Sequence, residues 1–176
     1  AEGGAQAATV RAIADRAGVT PGLIRHYFAS KDELTRAAYR RLMERMTADS
    51  GAALDTHGAG WTASERLAGF VAGSLRPPVV DPLRLGLWAG FLNAVRADAG
   101  MRAIHEQNYH AYRDRLEGLI ADLPRWADAA RCRADAIACN AVIAGLWLEG
   151  SALPEGFAPG ELERIGLHSV SAILGL

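Results

Sequence analysis

Only two cysteines occur in the 176 residues, Cys132 and Cys139, seven positions apart in a helical pattern. That spacing amounts to about 10 Å of axial rise at ~1.5 Å per residue, beyond the reach of a disulfide. The chain has no CxxC pair, no signal peptide and no apolar run long enough to cross a bilayer. It reads as reduced, cytoplasmic and without a membrane partner. It also lacks a nucleophile-elbow GxSxG, a P-loop and a GxGxxG, so a reading as an enzyme has no chemical handle. The nearest approach to a catalytic motif is His105 to His110, HEQNYH. Zinc-protease histidines lie four residues apart and share a helix face, whereas a spacing of five turns the second by about 140°. Surface or core histidines are the better reading, and neither metal nor cofactor is expected. An alternating strand pattern, an internal repeat and a low-complexity stretch are missing too.

What is present is ordinary in bulk and uneven in distribution. Half the residues are apolar, 22% are charged and the formal net charge is −1, values typical of a globular protein. Residues 1–48 hold eight Lys or Arg against five Asp or Glu, and the remainder holds 11 against 15. A basic head on an acidic body suits phosphate contact at one end only.

That head centres on Thr9 to Leu34, TVRAIADRAGVTPGLIRHYFASKDEL. Thr9 can cap a first helix whose apolar positions Val10, Ile13, Ala14 and Ala17 repeat at helical spacing. Gly18 stops it, because glycine takes the left-handed conformation without a Cβ penalty. Thr20 caps a second helix with Pro21 at its first position, where a missing N–H costs nothing. Ser30 and Glu33 then match a capping box for a third helix. Two short helices joined by a glycine turn form a helix-turn-helix, which offers its second helix to the DNA major groove. Ile13, Leu23 and Phe28 are expected in the core. Residues 1–8, AEGGAQAA, read as the tail of an earlier helix followed by a loop, and the chain as N-terminally truncated.

The rest of the chain reads as helices over Lys31 to about Ala53, Ala63 to Leu75, Pro82 to Asp98, Met101 to Leu123, Trp126 to Leu153 and Glu161 to Leu174. The inner face of the Lys31 helix is expected at Leu34, Ala37, Ala38, Leu42 and Met46. The helix from Pro82 is apolar on most sides and is expected to be buried centrally, with Gly100 ending it and residues 55–60 a loop. The fold class is all-α, about eight helices, divided into a DNA-binding head over residues 1–48 and a ligand-binding and dimerisation domain over 49–176.

The string IADRAGVTPGLIRHYFASKDEL, residues 13–34, resembles the DNA-binding domain of the TetR (tetracycline repressor) family. It matches in Ala17-Gly18-Val19, Thr20, Gly22, Tyr27-Phe28 and Ser30-Lys31-Asp32. LWAGFLNAVRADAGMRAIHEQNYHAYRDRL and AVIAGLWLEGSAL resemble the regulatory half of the family's choline-responsive betaine-pathway repressors. The resemblance implies a homodimeric regulator, in most members a repressor, that leaves a palindromic double-stranded DNA operator when a small-molecule effector binds. Thr9 and Thr20 stand at helix N-termini, which favour phosphate oxygens. Pro21, Gly22 and Arg25 lie on the recognition helix, where Arg25 can bond guanine O6 and N7. His26 can meet a base edge or a phosphate, and Tyr27 and Lys31 resemble the family's phosphate-clamping pair. The family's ligand sits among the central helices, which implies Trp88, Phe91, Tyr109, Asn140 and Trp147 as lining residues. Aromatic faces attract quaternary ammonium groups, so a cationic or aromatic effector is expected. Replacing Trp147 or Asn140 by alanine is expected to abolish release while sparing the fold. The last two helices are expected to pair with their copies, and the effector to shift the helix from Lys31. Two rivals carry other functions: an all-α small-molecule binding protein that binds no DNA, and a metal-dependent enzyme using the His105–His110 segment.

Overall fold

The computed structural model describes residues 9–57 and 60–176. The expectation for residues 1–8 therefore lies outside the described residues. Those described form eight helices and no strand: α1 Val10–Ala17, α2 Pro21–Tyr27, α3 Lys31–His57, α4 Ala63–Ser74, α5 Pro82–Ala97, α6 Ala99–Ala121, α7 Ala129–Ala152 and α8 Glu161–Leu174. The all-α expectation holds.

The punctuation is local chemistry. Thr9 and Thr20 each accept a backbone N–H, from Ala12 and Leu23, at 3.2 Å. Gly18 ends α1 at φ 66°, with its N–H directed to the Ala14 and Asp15 carbonyls, a conformation that favours glycine. Ser30 accepts the Glu33 N–H at 3.1 Å. Glu33 Oε2 reaches one residue further back than a capping box requires, to the Ala29 N–H at 2.7 Å.

Several boundaries differ from the sequence reading. α3 continues through Asp55, Thr56 and His57; Asp55 is held by Arg115 at 2.8 Å and the Thr56 hydroxyl donates to the Ala52 carbonyl. Asp98 separates α5 from α6, not Gly100. In an extended conformation, its N–H donates to Ala94 O and its side chain accepts the Met101 N–H at 2.7 Å. Gly100 sits in the first turn of α6. α7 begins at Ala129 behind the Asp128 cap, which leaves Trp126 outside it and 93% exposed.

α3 packs on α4 and α6, α6 on α7, and α7 on α8, with α5 laid across α6 and α7. The inner face of α3 is Tyr39, Met43, Met46 and Ser50, rotated from the expected one. Ala38 is exposed, and Leu34, Ala37 and Leu42 are half-buried. α5 buries only Leu85 and Trp88, and leaves Leu83 and Leu87 exposed. It lies at the edge of the bundle and not centrally. In α1, Ala14 alone is buried. α2 buries nothing, Leu23 is exposed, and Ile13 and Phe28 are half-covered. Two helices of eight and seven residues enclose too little space for a core between them.

The α3–α4 contact depends on a missing side chain. A Cβ on Gly73 would stand 2.4 Å from the Ser50 carbonyl oxygen, a backbone atom that cannot swing aside. Gly73→Val is expected to destabilise by about 1–3 kcal/mol through overpacking, read as a lower urea midpoint at unchanged slope. An unchanged midpoint would show that α3 and α4 separate freely.

Candidate nucleic-acid interface and sensor body

The head presents a polar edge. Thr20, Gly22, Arg25, His26 and Tyr27 are exposed, as is Thr9, and Pro21 is half-buried. The His26 and Tyr27 rings meet edge to face at 5.2 Å. Lys31 opens α3 beside them, half-buried. A Cβ on Gly22 would meet nothing nearer than the Thr20 hydroxyl at 3.8 Å. The fold therefore does not need glycine there; the bare backbone is available to something outside the chain.

α3 leads from this edge into the body, and polar links fasten it along its length. Arg36 grips Asp98 with two nitrogens, at 3.0 and 2.5 Å. Asp49 pairs with Arg84 on α5, and Asp55 with Arg115 on α6. The Arg36 guanidinium, helped by the Met101 N–H, holds the Asp98 carboxyl down to about 2. The Arg36–Asp98 clasp therefore contributes its full stabilisation above the unfolded carboxyl value of about 3.9, and that contribution is lost as pH falls toward 2. None of these links was read from the sequence, where arginines and aspartates on a helix look merely wet.

Between Arg36 and Asp49, buried Tyr39 places its hydroxyl 2.6 Å from His105 Nδ1 on α6. Burial pushes Tyr39 up to about 12 and His105 below its ordinary value, partly opposed at His105 by Glu106. The phenol is thus protonated and the imidazole neutral near pH 7. The fold favours neutral His105, while the unfolded residue titrates near ~6.5. Its contribution is present above that pH and fades as pH falls through the lower folded value. Thermal midpoints should therefore drop from pH 7 to about pH 5.5, and His105→Asn should remove part of the drop. Equal pH profiles for the two proteins would refute this. His110, by contrast, is exposed, so the two histidines of HEQNYH do not converge. Among the described residues no group of three or more His, Cys, Asp or Glu is placed to hold a metal ion.

The five expected lining residues come from three helices, α5, α6 and α7. Trp88 and Trp147 meet edge to face at 5.6 Å, both buried. Trp147 also meets Tyr112 at 6.0 Å, and its indole N–H donates to Ser74 O at 2.8 Å. Phe91 packs on Tyr39 at 4.9 Å. Tyr109 stacks on His105 at 6.5 Å, with the Arg113 guanidinium 5.8 Å from its centroid. Asn140 is buried on α7. Tyr39, Ser74 and Tyr112, which sequence reasoning did not single out, and His105, which it read as a surface or core histidine, carry the polar contacts among these rings. Cys139, pushed up to about 11 by burial and then by Asp135, is an unreactive core thiol.

This arrangement can be set beside known proteins. The model of bacterial regulatory proteins, tetR family, matches residues 1–38, and that of the BetI-type transcriptional repressor, C-terminal, matches residues 63–175. The HTH-type transcriptional regulator BetI of Rhizobium meliloti (strain 1021) is 33% identical over 149 residues, 84% of this chain and 70% of that protein. BetI of Ectopseudomonas mendocina (strain ymp) is 30% identical over 162 residues, 90% and 79% of the two chains. The crystal structure of a transcriptional regulator from Pseudomonas aeruginosa PAO1 superposes with a TM-score of 0.83 at 33% identity, covering 98% of this chain and 83% of that one. The chain belongs to the TetR family of bacterial transcriptional regulators. Within that family its C-terminal half is of the BetI repressor type.

Proposed function

We propose that this regulator represses transcription from the cytoplasm as a homodimer on a two-fold symmetric double-stranded operator, and leaves it when a small molecule occupies the body. It performs no chemical step. The observation that carries the reading is the recognition helix α2, which buries none of its residues and has open space at Gly22. Gly22 and Pro21 let the DNA backbone approach. Thr9 and Thr20, at helix N-termini, bond phosphates along with Tyr27 and Lys31. Arg25 and His26 reach base edges. The head ends near residue 48, inside continuous α3, so head and body share one helix.

Pairing falls to α7 and α8. Ala130, Ala134, Ile137, Ala141 and Leu148 form an exposed, uncharged line down α7, and Ile165 continues it on α8. The effector, cationic or aromatic, binds among Trp88, Phe91, Tyr109, Asn140 and Trp147. To fit, it displaces packed rings, and their movement reaches α3 through His105–Tyr39 and Asp98–Arg36. Release requires only that the effector prefer the geometry that does not bind DNA.

Gel shift of the protein with DNA from upstream of its own gene tests the central claim. Binding should weaken with added salt, and a lack of salt-sensitive binding would leave a small-molecule binding protein. Arg25→Ala should cost about 1–3 kcal/mol of operator affinity, from one lost bidentate base contact. An unchanged affinity would remove Arg25 from the interface.

A further inference from the structure

A cavity of about 340 Å³ opens between the α4–α5 connection and the α7–α8 connection. It is separate from the five expected lining residues. Buried Leu85, Gly150 and Leu162 lie at its bottom, while Phe157 and prolines from both connections stand around the mouth. The space depends on Gly150: a Cβ there would lie 3.0 Å from Leu162 Cδ1 and 3.3 Å from Leu85 Cδ1. Gly150 lies on the body side of α7. Leu148 and Ala152, two residues away on either side, point roughly 200° around the helix, so the pairing stripe and the cavity use opposite faces.

Two charges line this apolar space, Arg76 and Glu163. Neither makes an ion pair or a side-chain hydrogen bond among the described residues. The surroundings are built in advance. Arg76 O accepts the Val79 and Val80 N–H groups at 3.0 and 3.1 Å. Across the cavity, Glu161 Oε2 accepts the Ala158 N–H at 2.8 Å and Gly156 N–H donates to Leu153 O at 2.9 Å. A preformed site of this size holds a small ligand with little ordering cost.

We infer that the Arg76–Glu163 cavity binds a small zwitterion with an apolar body, of the size and kind of a hydrophobic α-amino acid. Its carboxylate pairs with Arg76, its cationic group with Glu163, and its side chain lies on Leu85, Leu162 and Phe157. Nothing is required of the DNA head, so binding is measured on the full chain without DNA.

Calorimetric titration with four probes tests this: L-phenylalanine, L-leucine, 3-phenylpropionate and 2-phenylethylamine. The two amino acids are expected to bind at least about tenfold tighter than either singly charged probe, because each singly charged probe forfeits one charged hydrogen bond. Arg76→Ala should bring L-phenylalanine down to the level of 2-phenylethylamine, and Glu163→Gln to that of 3-phenylpropionate. Both side chains are unpaired, so the variants should keep the parent's thermal midpoint. The inference is overturned if neither amino acid binds at about 10 mM. Equal binding of all four probes, or amino-acid binding indifferent to both substitutions, overturns it as well.

Discussion

Trp147→Ala is expected to cost the protein about 3–5 kcal/mol of stability, the range for removing a large buried aromatic side chain. The ring is 6% exposed and meets Trp88 from α5 and Tyr112 from α6. Its N–H satisfies Ser74 O on α4, and the Ser74 hydroxyl is itself 2.7 Å from the Tyr112 hydroxyl. One side chain therefore joins four helices, and its loss leaves both a void and a buried carbonyl without its donor. Urea unfolding should show a lower midpoint at unchanged slope. Trp147→Phe, which keeps most of the ring and drops the donor, should cost only about 1–3 kcal/mol. If the alanine variant unfolds within about 1 kcal/mol of the parent, the ring does not hold these helices together. The expectation that this variant would spare the fold is thus replaced: loss of effector response in Trp147→Ala would report unfolding. Asn140→Ala removes less buried volume and remains the cleaner probe of the proposed effector site.

One residue further along α7, the expected outcome is of another kind. Leu148 is 49% exposed and lies on the proposed pairing stripe. Leu148→Glu should leave the monomer's thermal unfolding almost unchanged while placing two carboxylates near the two-fold axis of an apolar interface. Burying unpaired charge is strongly unfavourable, so sedimentation should show monomers. Operator affinity should then fall about 10²–10⁴-fold, because the second half-site no longer binds at high effective concentration. A variant that stays dimeric with full operator affinity would move the interface away from α7. Trp147 and Leu148 are separated by about 100° of helix rotation, and that angle divides folding from assembly.

The sequence disclosed most where the signal is local. Thr9, Gly18, Thr20, Pro21 and Ser30 each set a backbone state within four residues, and each boundary they announce is present. Asp98 misled because an aspartate can end one helix and begin the next, while the neighbouring glycine looked like the terminator. Tertiary choices were less legible. The inner face of α3 follows Tyr39, a bulky residue with a polar tip that finds its partner 66 positions away, and not the alanines and leucines of the expected stripe. For α5, apolar character all round could not distinguish a central helix from one lying at the edge, with Leu83 and Leu87 left uncovered. The aromatic side chains were identified as important, but their grouping depends on pairings between helices that spacing does not encode.

The fastening of α3 by arginine–aspartate pairs has a consequence for ionic strength. These pairs are partly exposed, so added salt screens them, and it also competes for the phosphates under the head. Both effects act in the same direction. The decline of operator binding with salt should then be steeper than phosphate contacts alone produce, and it should lessen in Arg36→Gln, where one clasp has already been removed. The cell's electrolyte would act as a second input, setting how firmly the reading head is held before any effector arrives.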